Sequence, residues 1–408
     1  MMGSALAARG LGAMLLCGAS AVTLLPGTAS AQGPAPSAAG DDAGPLGTFG
    51  NAIIVTATKR EQTLQETPVA VTVTTAETLA REQIRDLSDL QSVVPSLRVT
   101  QLQSSANTNF IIRGFGNGAN NAGIEPSVGV FVDGVYRSRT SAQIGDLPDV
   151  SRVEVLRGPQ STLFGKNASA GVISIVTRLP SFTPTGSAEL SYGNYDALVA
   201  RAYVSAPLDD HVAFSLTGGI NRRDGYNRDE GSGTRTNERN RWFVRGQGLF
   251  DNGGALTARL IVDYDRIDEN CCGVVNLLSS PATAAIRALG GQVSDPDDRF
   301  GNVVYNNFPS TNVIDNVGVS AQFDLDLAPV ALTSITAFRT TDGRYGQDVD
   351  FTSADLLRRF YDQALETFTQ ELRATGTFGP VSALLGVYYF DEKVRERQDV
   401  VTGDAFRT

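Results

Sequence analysis

Leu256-Thr257-Ala258-Arg259-Leu260-Ile261-Val262-Asp263-Tyr264-Asp265 is the stretch on which the fold turns. Its even positions are apolar or aromatic: Leu256, Ala258, Leu260, Val262 and Tyr264. Its odd positions include Thr257, Arg259, Asp263 and Asp265. Successive side chains of a β-strand point to opposite faces, so this pattern gives one apolar and one polar face. The same alternation recurs in 317–327, where Val317, Val319, Phe323 and Leu325 face away from Ser320, Gln322, Asp324 and Asp326. In 212–220, Phe214 and Leu216 alternate with Ser215 and Thr217.

A sandwich also alternates, so the connections decide. About nine strands are expected, at 187–193, 197–207, 211–223, 239–250, 255–268, 316–327, 330–343, 367–377 and 381–392. After the first pair, tight turns (Asp209-Asp210, Asp251-Asn252-Gly253-Gly254, Ala328-Pro329, Gly379-Pro380) alternate with long segments at 224–238, 269–315 and 344–366. Short turns on one side and long polar loops on the other mark an outer-membrane β-barrel, and a sandwich has no reason to keep that parity.

The rest of the sequence narrows the class. With 408 residues there is room for two cores, and 41% hydrophobic against 19% charged residues argues against disorder. After the first 31 residues no apolar run is long enough for a membrane helix. Those 31 residues read as a secretory signal: Arg9, an apolar stretch at 11–25, Pro26-Gly27, then Ala29-Ser30-Ala31 before the cut. A lipoprotein anchor on Cys17 is disfavoured by the bulky Leu16 before it. Without Arg9 the 34 basic residues become 33 against 44 acidic ones, a balance of −11 that argues against a nucleic-acid partner. The remaining cysteines, Cys271 and Cys272, are adjacent; in an exported protein they are either two loop thiols or a vicinal disulfide pinning a loop.

Between leader and strands lie two further regions. Residues 32–50 read as a flexible Gly, Ala, Pro and Asp tether. From it rises Ile53-Ile54-Val55-Thr56-Ala57, followed by Lys59 and Arg60. This run is either a free strand that adds to a partner's sheet edge or the first strand of the next domain. Residues 61–180 mix short helices and strands. Thr74-Thr75-Ala76-Glu77 reads as a capping box for a helix ending near Ile84, and a second short helix spans 87–94. Strands are expected at 97–100, 110–113, 128–132, 151–156 and 172–176, with Asp133-Gly134 as a two-residue hairpin turn. Nucleotide loops fail: no helix follows Gly114-Phe115-Gly116, and Gly158 to Lys166 has the wrong glycine spacing. The single histidine, His211, sits by a short turn, away from the long loops, so neither a haem ligand nor an enzymatic site is expected, and no metal or cofactor.

Several stretches carry a family resemblance. Ile112-Arg113-Gly114-Phe115-Gly116, Val130-Phe131-Val132-Asp133-Gly134-Val135-Tyr136, and Val153-Glu154-Val155-Leu156-Arg157-Gly158-Pro159 with Phe164-Gly165 resemble the plug motifs of TonB-dependent receptors of Gram-negative outer membranes. The resemblance covers the chain after the leader. It implies an α+β plug at 61–180 inside an antiparallel transmembrane β-barrel from 181, of which about 9 of an expected 22 strands are present. At roughly 25 residues per strand a whole barrel needs on the order of 550 residues. The barrel is therefore expected to be incomplete, either a clipped record or a nonfunctional truncated receptor.

The resemblance also implies roles. Ile53, Ile54, Val55, Thr56 and Ala57 stand where such receptors carry the TonB box, at the end of a tether at 32–60. Arg113 and Arg157, each before a glycine, become plug arginines latched to Glu371, on the polar face of 367–375 with Thr369 and Arg373. Function becomes import of a scarce solute energised through TonB by the proton gradient. A ferric siderophore leads, with oligosaccharide, cobalamin or an aromatic nutrient as alternatives. Plug-apex contacts are expected from Gln101, Gln103, Asn117, Asn120 and Asn121, and loop contacts from Arg222, Arg223 and Tyr226. TonB with its inner-membrane complex, outer-membrane lipid and the solute are the implied partners.

Overall fold

A computed structural model describes residues 53–117, 121 and 123–406. The leader, the tether before residue 53 and Asn120 lie outside these residues. Nine consecutive antiparallel strands form a single sheet in sequence order. We number them β1 (Thr185–Gly193), β2 (Ala197–Pro207), β3 (Val212–Arg223), β4 (Arg239–Asp251), β5 (Leu256–Asn270), β6 (Thr311–Asp326), β7 (Val330–Asp348), β8 (Leu357–Phe378) and β9 (Val381–Thr402).

The faces of this sheet are inverted relative to a soluble sandwich. Leu260 and Val262 are each 52% exposed, and Phe323 is 48% exposed, whereas Arg259 and Arg245 are 8% and 4% exposed. Apolar side chains thus face outward and charged ones inward onto the domain at 53–180, as a strand wall in lipid around a polar interior requires. None of the described helices is long and apolar enough to cross a membrane.

The wall strands run longer than their alternation suggests. β8 and β9 pair over 22 residues each, far beyond the ~9–11 needed to cross a bilayer. Their outer halves carry Arg358, Asp362 and Glu366 opposite Val401, Arg397 and Lys393. No apolar face survives there, so periodicity reads a loop where the backbone ladder continues into water. The segment at 269–315 likewise holds structure of its own. Pro281–Ala288 is a helix with a Ser280–Thr283 capping box, and Val303–Val304 pairs with Asn227–Asp229.

Inside the wall, five strands form the plug sheet, in the order Val71–Thr75, Val150–Arg157, Gly171–Thr177, Val128–Val132, Val135–Arg137. Val153, Val155 and Ile173 are fully buried at its centre. The Asp133-Gly134 turn has positive φ at both positions, 50° and 77°, the geometry that matches strand twist in a two-residue hairpin. Two expectations need correction. The first helix spans only Ala76–Arg81 and its N-cap is Thr75, which accepts from the Thr78 amide; Thr74 is instead buried within the preceding strand, so no Thr74–Glu77 box forms. The second helix reduces to one 3₁₀ turn, Asp89–Ser92, because Asp86 and Asp89 accept each other's neighbouring amides and lock a turn.

Candidate functional site: the plug and its clasps

The segment at 53–57 is not a free strand. Ile54–Val55 pairs antiparallel with Gln62–Thr63, and Val55 and Ala57 are fully buried against Phe131, Leu156 and Phe164. The Thr56 amide donates to Glu154 Oε1 at 2.9 Å, and Arg152 steadies that carboxylate from 2.7 Å. Among the described residues, plug packing therefore extends back from 61 to 53. The sequence supplied no partner strand because a two-residue pairing leaves no periodic signal.

Lys59 lies at the end of this segment and reaches the wall. Its Nζ donates to Glu371 Oε2 at 3.0 Å, with both side chains largely buried. The ammonium also lies over the Phe164 and Phe131 rings, 4.6 and 5.5 Å from their centroids. Burial pushes the Lys59 pKa below its ordinary value, and the Glu371 charge only partly restores it. Arg373 holds the other oxygen of Glu371 at 2.7 Å.

Glu371 thus pairs with a plug cation, but not with either of the two expected. Arg113 sits at a turn with φ 53°, exposed, and makes no ion pair among the described residues. Arg157 is spent on the Ala70 carbonyl at 3.4 Å. Lys59 takes their place because the short strand pairing carries it along the sheet to β8.

A larger clasp faces β4 and β5. Asp133, at the hairpin tip and 1% exposed by its side chain, accepts from the Thr177 amide and hydroxyl and meets Arg245 and Arg259 of the wall. Burial would raise its pKa, but the two guanidiniums win and hold it below the usual carboxylate range. Asp86 meets Arg239 and Arg241; burial opposes its charge, yet those two arginines bring its pKa down to about 2. Arg241 also holds Glu269, which accepts from Ser105 at the plug apex. Arg137 of the plug faces Asp263 at 3.7 Å. None of these clasp residues was given a pairing role from sequence, although Arg239, Arg241 and Arg245 share one face of an expected strand, a readable sign of a charged lumen wall.

The expected solute contacts scatter. Gln101 is exposed at a strand end, and the Gln103 carbonyl accepts from the Cys272 amide at 3.2 Å. Asn117 closes its own loop through Ser127 and Glu125, and Asn121 caps the Gly123 amide. Arg223 lies over the Tyr226 ring at 5.1 Å, and Tyr226 accepts from Asn237, whereas Arg222 is exposed. Among the described residues of this set, Arg223 and Tyr226 come together. Cys271 and Cys272 are joined as a vicinal disulfide at the root of the 271–310 loop, buried against the apex.

An inward-charged strand wall around a separately cored, ion-clasped plug defines a plugged outer-membrane β-barrel. Comparison with known proteins names the inner domain. Residues 63–172 match the TonB-dependent Receptor Plug Domain. The pesticin receptor of Yersinia pestis is 32% identical over 163 residues, 40% of this chain and 24% of that protein. The iron-regulated outer membrane virulence protein of Vibrio cholerae is 31% identical over 192 residues, 42% of this chain and 28% of that protein. Among solved structures, the ferric yersiniabactin uptake receptor of Yersinia pestis superposes with TM-score 0.71 at 19% identity, covering 82% of this chain and 50% of that one. The ferripyoverdine receptor of Pseudomonas aeruginosa gives TM-score 0.67 at 18% identity, covering 85% and 45%. The chain thus spans about half the length of these solved structures, and the alignments span about a quarter of the curated relatives. Residues 63–172 thus form a TonB-dependent receptor plug domain, and the described chain shares the fold of about half of these solved outer-membrane receptors.

Proposed function

We propose that this chain works as the plug and adjoining wall of a receptor that imports a scarce solute, a ferric siderophore above all, powered through TonB by the proton gradient. The observation that carries the reading is the stowed segment at 53–59. Its backbone is held to the plug by Glu154 and its Lys59 to the wall by Glu371. A pull on Ile53 would load the Gln62–Thr63 pairing and then these two carboxylates, one on the plug sheet and one on the wall, so the segment is placed to pass force inward. Strand addition to TonB at Ile53, Ile54, Val55, Thr56 and Ala57 needs the Gln62–Thr63 pairing to open first.

The siderophore assignment draws on the named relatives, the ferric yersiniabactin uptake receptor and the ferripyoverdine receptor among them. Arg223, at the end of β3, stacks on Tyr226 and places a cation beside the outer loops, with one Nη already given to the Asn237 carbonyl at 2.6 Å. The test is twofold. A cysteine at Ile53 should cross-link to TonB when cargo is present, and expression should rise under iron starvation. Absence of the cross-link would sink the energised-import reading; unchanged expression would sink the siderophore while leaving import intact.

A further inference from the structure

The lumen face of β4 carries Arg239, Arg241 and Arg245, two and then four residues apart and so on one face of the strand. At about 3.4 Å per residue these three span about 20 Å along the wall. Arg259 of β5 and Arg339 of β7 extend the strip sideways, and both are buried. In this cluster the wall sets five arginines (239, 241, 245, 259, 339) against three carboxylates, Asp263, Asp265 and Glu269. The plug side sets Asp86, Asp133 and Asp146 against Arg137 alone. An excess of two positive charges on the wall thus meets an excess of two negative charges on the plug.

A cavity of about 70 Å³ opens beside the strip, lined by Arg137, Gln143, Asp146, Arg245 and Asp263 among others. Among the described residues, Arg245 Nε and one Nη of Arg137 have no hydrogen-bond partner there, although both side chains are more than nine-tenths buried. A buried guanidinium left without an anion is strongly destabilising, because its desolvation is no longer offset. Any displacement of the plug that withdraws Asp86 and Asp133 therefore leaves the strip needing replacement anions.

We propose that this arginine strip on the inner wall is an anion-binding track, to which the plug carboxylates Asp86 and Asp133 are resident substitutes for an anionic solute bearing carboxylate- or phosphate-like oxygens. The track deepens the import reading by giving the charge class of what passes the wall. Arginine suits the role because its planar fork engages two oxygens at once and stays charged at all pH values.

Sulfate, an oxyanion with no transport role assumed, serves as the probe. In the purified intact chain, Asp86→Asn with Asp133→Asn lowers the unfolding midpoint in chloride. Sulfate at equal ionic strength then restores about 2–4 °C beyond its effect on the parent, the parent serving as control for general salting-out. Adding Arg241→Gln and Arg245→Gln abolishes the restoration. The proposal is overturned if sulfate shifts parent and variant equally, or if restoration survives loss of the arginines. Should the double variant fail to fold, Asp133→Asn alone gives the same comparison, because Arg245 and Arg259 remain. The measurement needs neither TonB nor cargo, so it fails or succeeds separately from the import reading.

Discussion

Removing either end of the Lys59–Glu371 contact should unstow the segment at 53–57, but by different amounts. In Lys59→Met the Glu371 carboxylate keeps Arg373 at 2.7 Å, so no buried charge is orphaned. What is lost is one charge-assisted hydrogen bond and two cation–π contacts, partly offset by the desolvation that Lys59 no longer suffers. That difference is about 1–2 kcal/mol, or roughly a 5- to 30-fold rise in the unstowed fraction. In Glu371→Gln the ammonium stays buried and faces Arg373 with no carboxylate between them. The cost is then about 3–5 kcal/mol, a rise on the order of a hundredfold or more. A Val55→Cys reporter suits the assay, because Val55 is fully buried and the native Cys271 and Cys272 are bonded to each other. Maleimide labelling in outer-membrane preparations should accelerate in the order parent, Lys59→Met, Glu371→Gln. Equal labelling in all three, at equal receptor abundance, would refute the argument that this pair holds the segment in place.

Other expectations follow from the same geometry. Arg113→Ala should change stability by no more than about 0.5 kcal/mol in denaturant titration, because its side chain is exposed and unpaired among the described residues; a loss of several kcal/mol would restore it as a latch. Asp86 should impose an acid limit on plug docking. Its folded pKa of about 2 lies below the unfolded value of 3.8, so its contribution is complete above pH 3.8 and is lost as pH falls through about 2. Midpoints of the parent should therefore fall faster over that window than those of Asp86→Asn. Ile173→Ala, at a fully buried position of the plug sheet, should cost about 2–5 kcal/mol and leave the wall strands formed by circular dichroism.

The sequence by itself determined the architecture. Alternation in 256–265 and 317–327, with turns that alternate between short and long, is a local property of the chain, and the nine wall strands appear where it places them. The Asp133-Gly134 turn was equally legible, because two positive φ angles demand those residue types. The lengths of β8 and β9 were not, since their outer halves mix polar and apolar residues on both faces and only the hydrogen-bonded ladder defines them as strand.

The pairing of charges was decided by the tertiary structure alone. Lys59 and Glu371 lie 312 residues apart, and Arg259 and Asp133 lie 126 apart. Composition shows that buried charges must find partners, but which ones meet depends on how the plug sits against each wall strand. Arg113 and Arg157 carry the right chemistry for a latch, yet the backbone turns one toward solvent and the other toward the Ala70 carbonyl. Ion-pair partners are chosen by distances of a few ångströms, and those are set by packing across the whole barrel, where no local pattern records them.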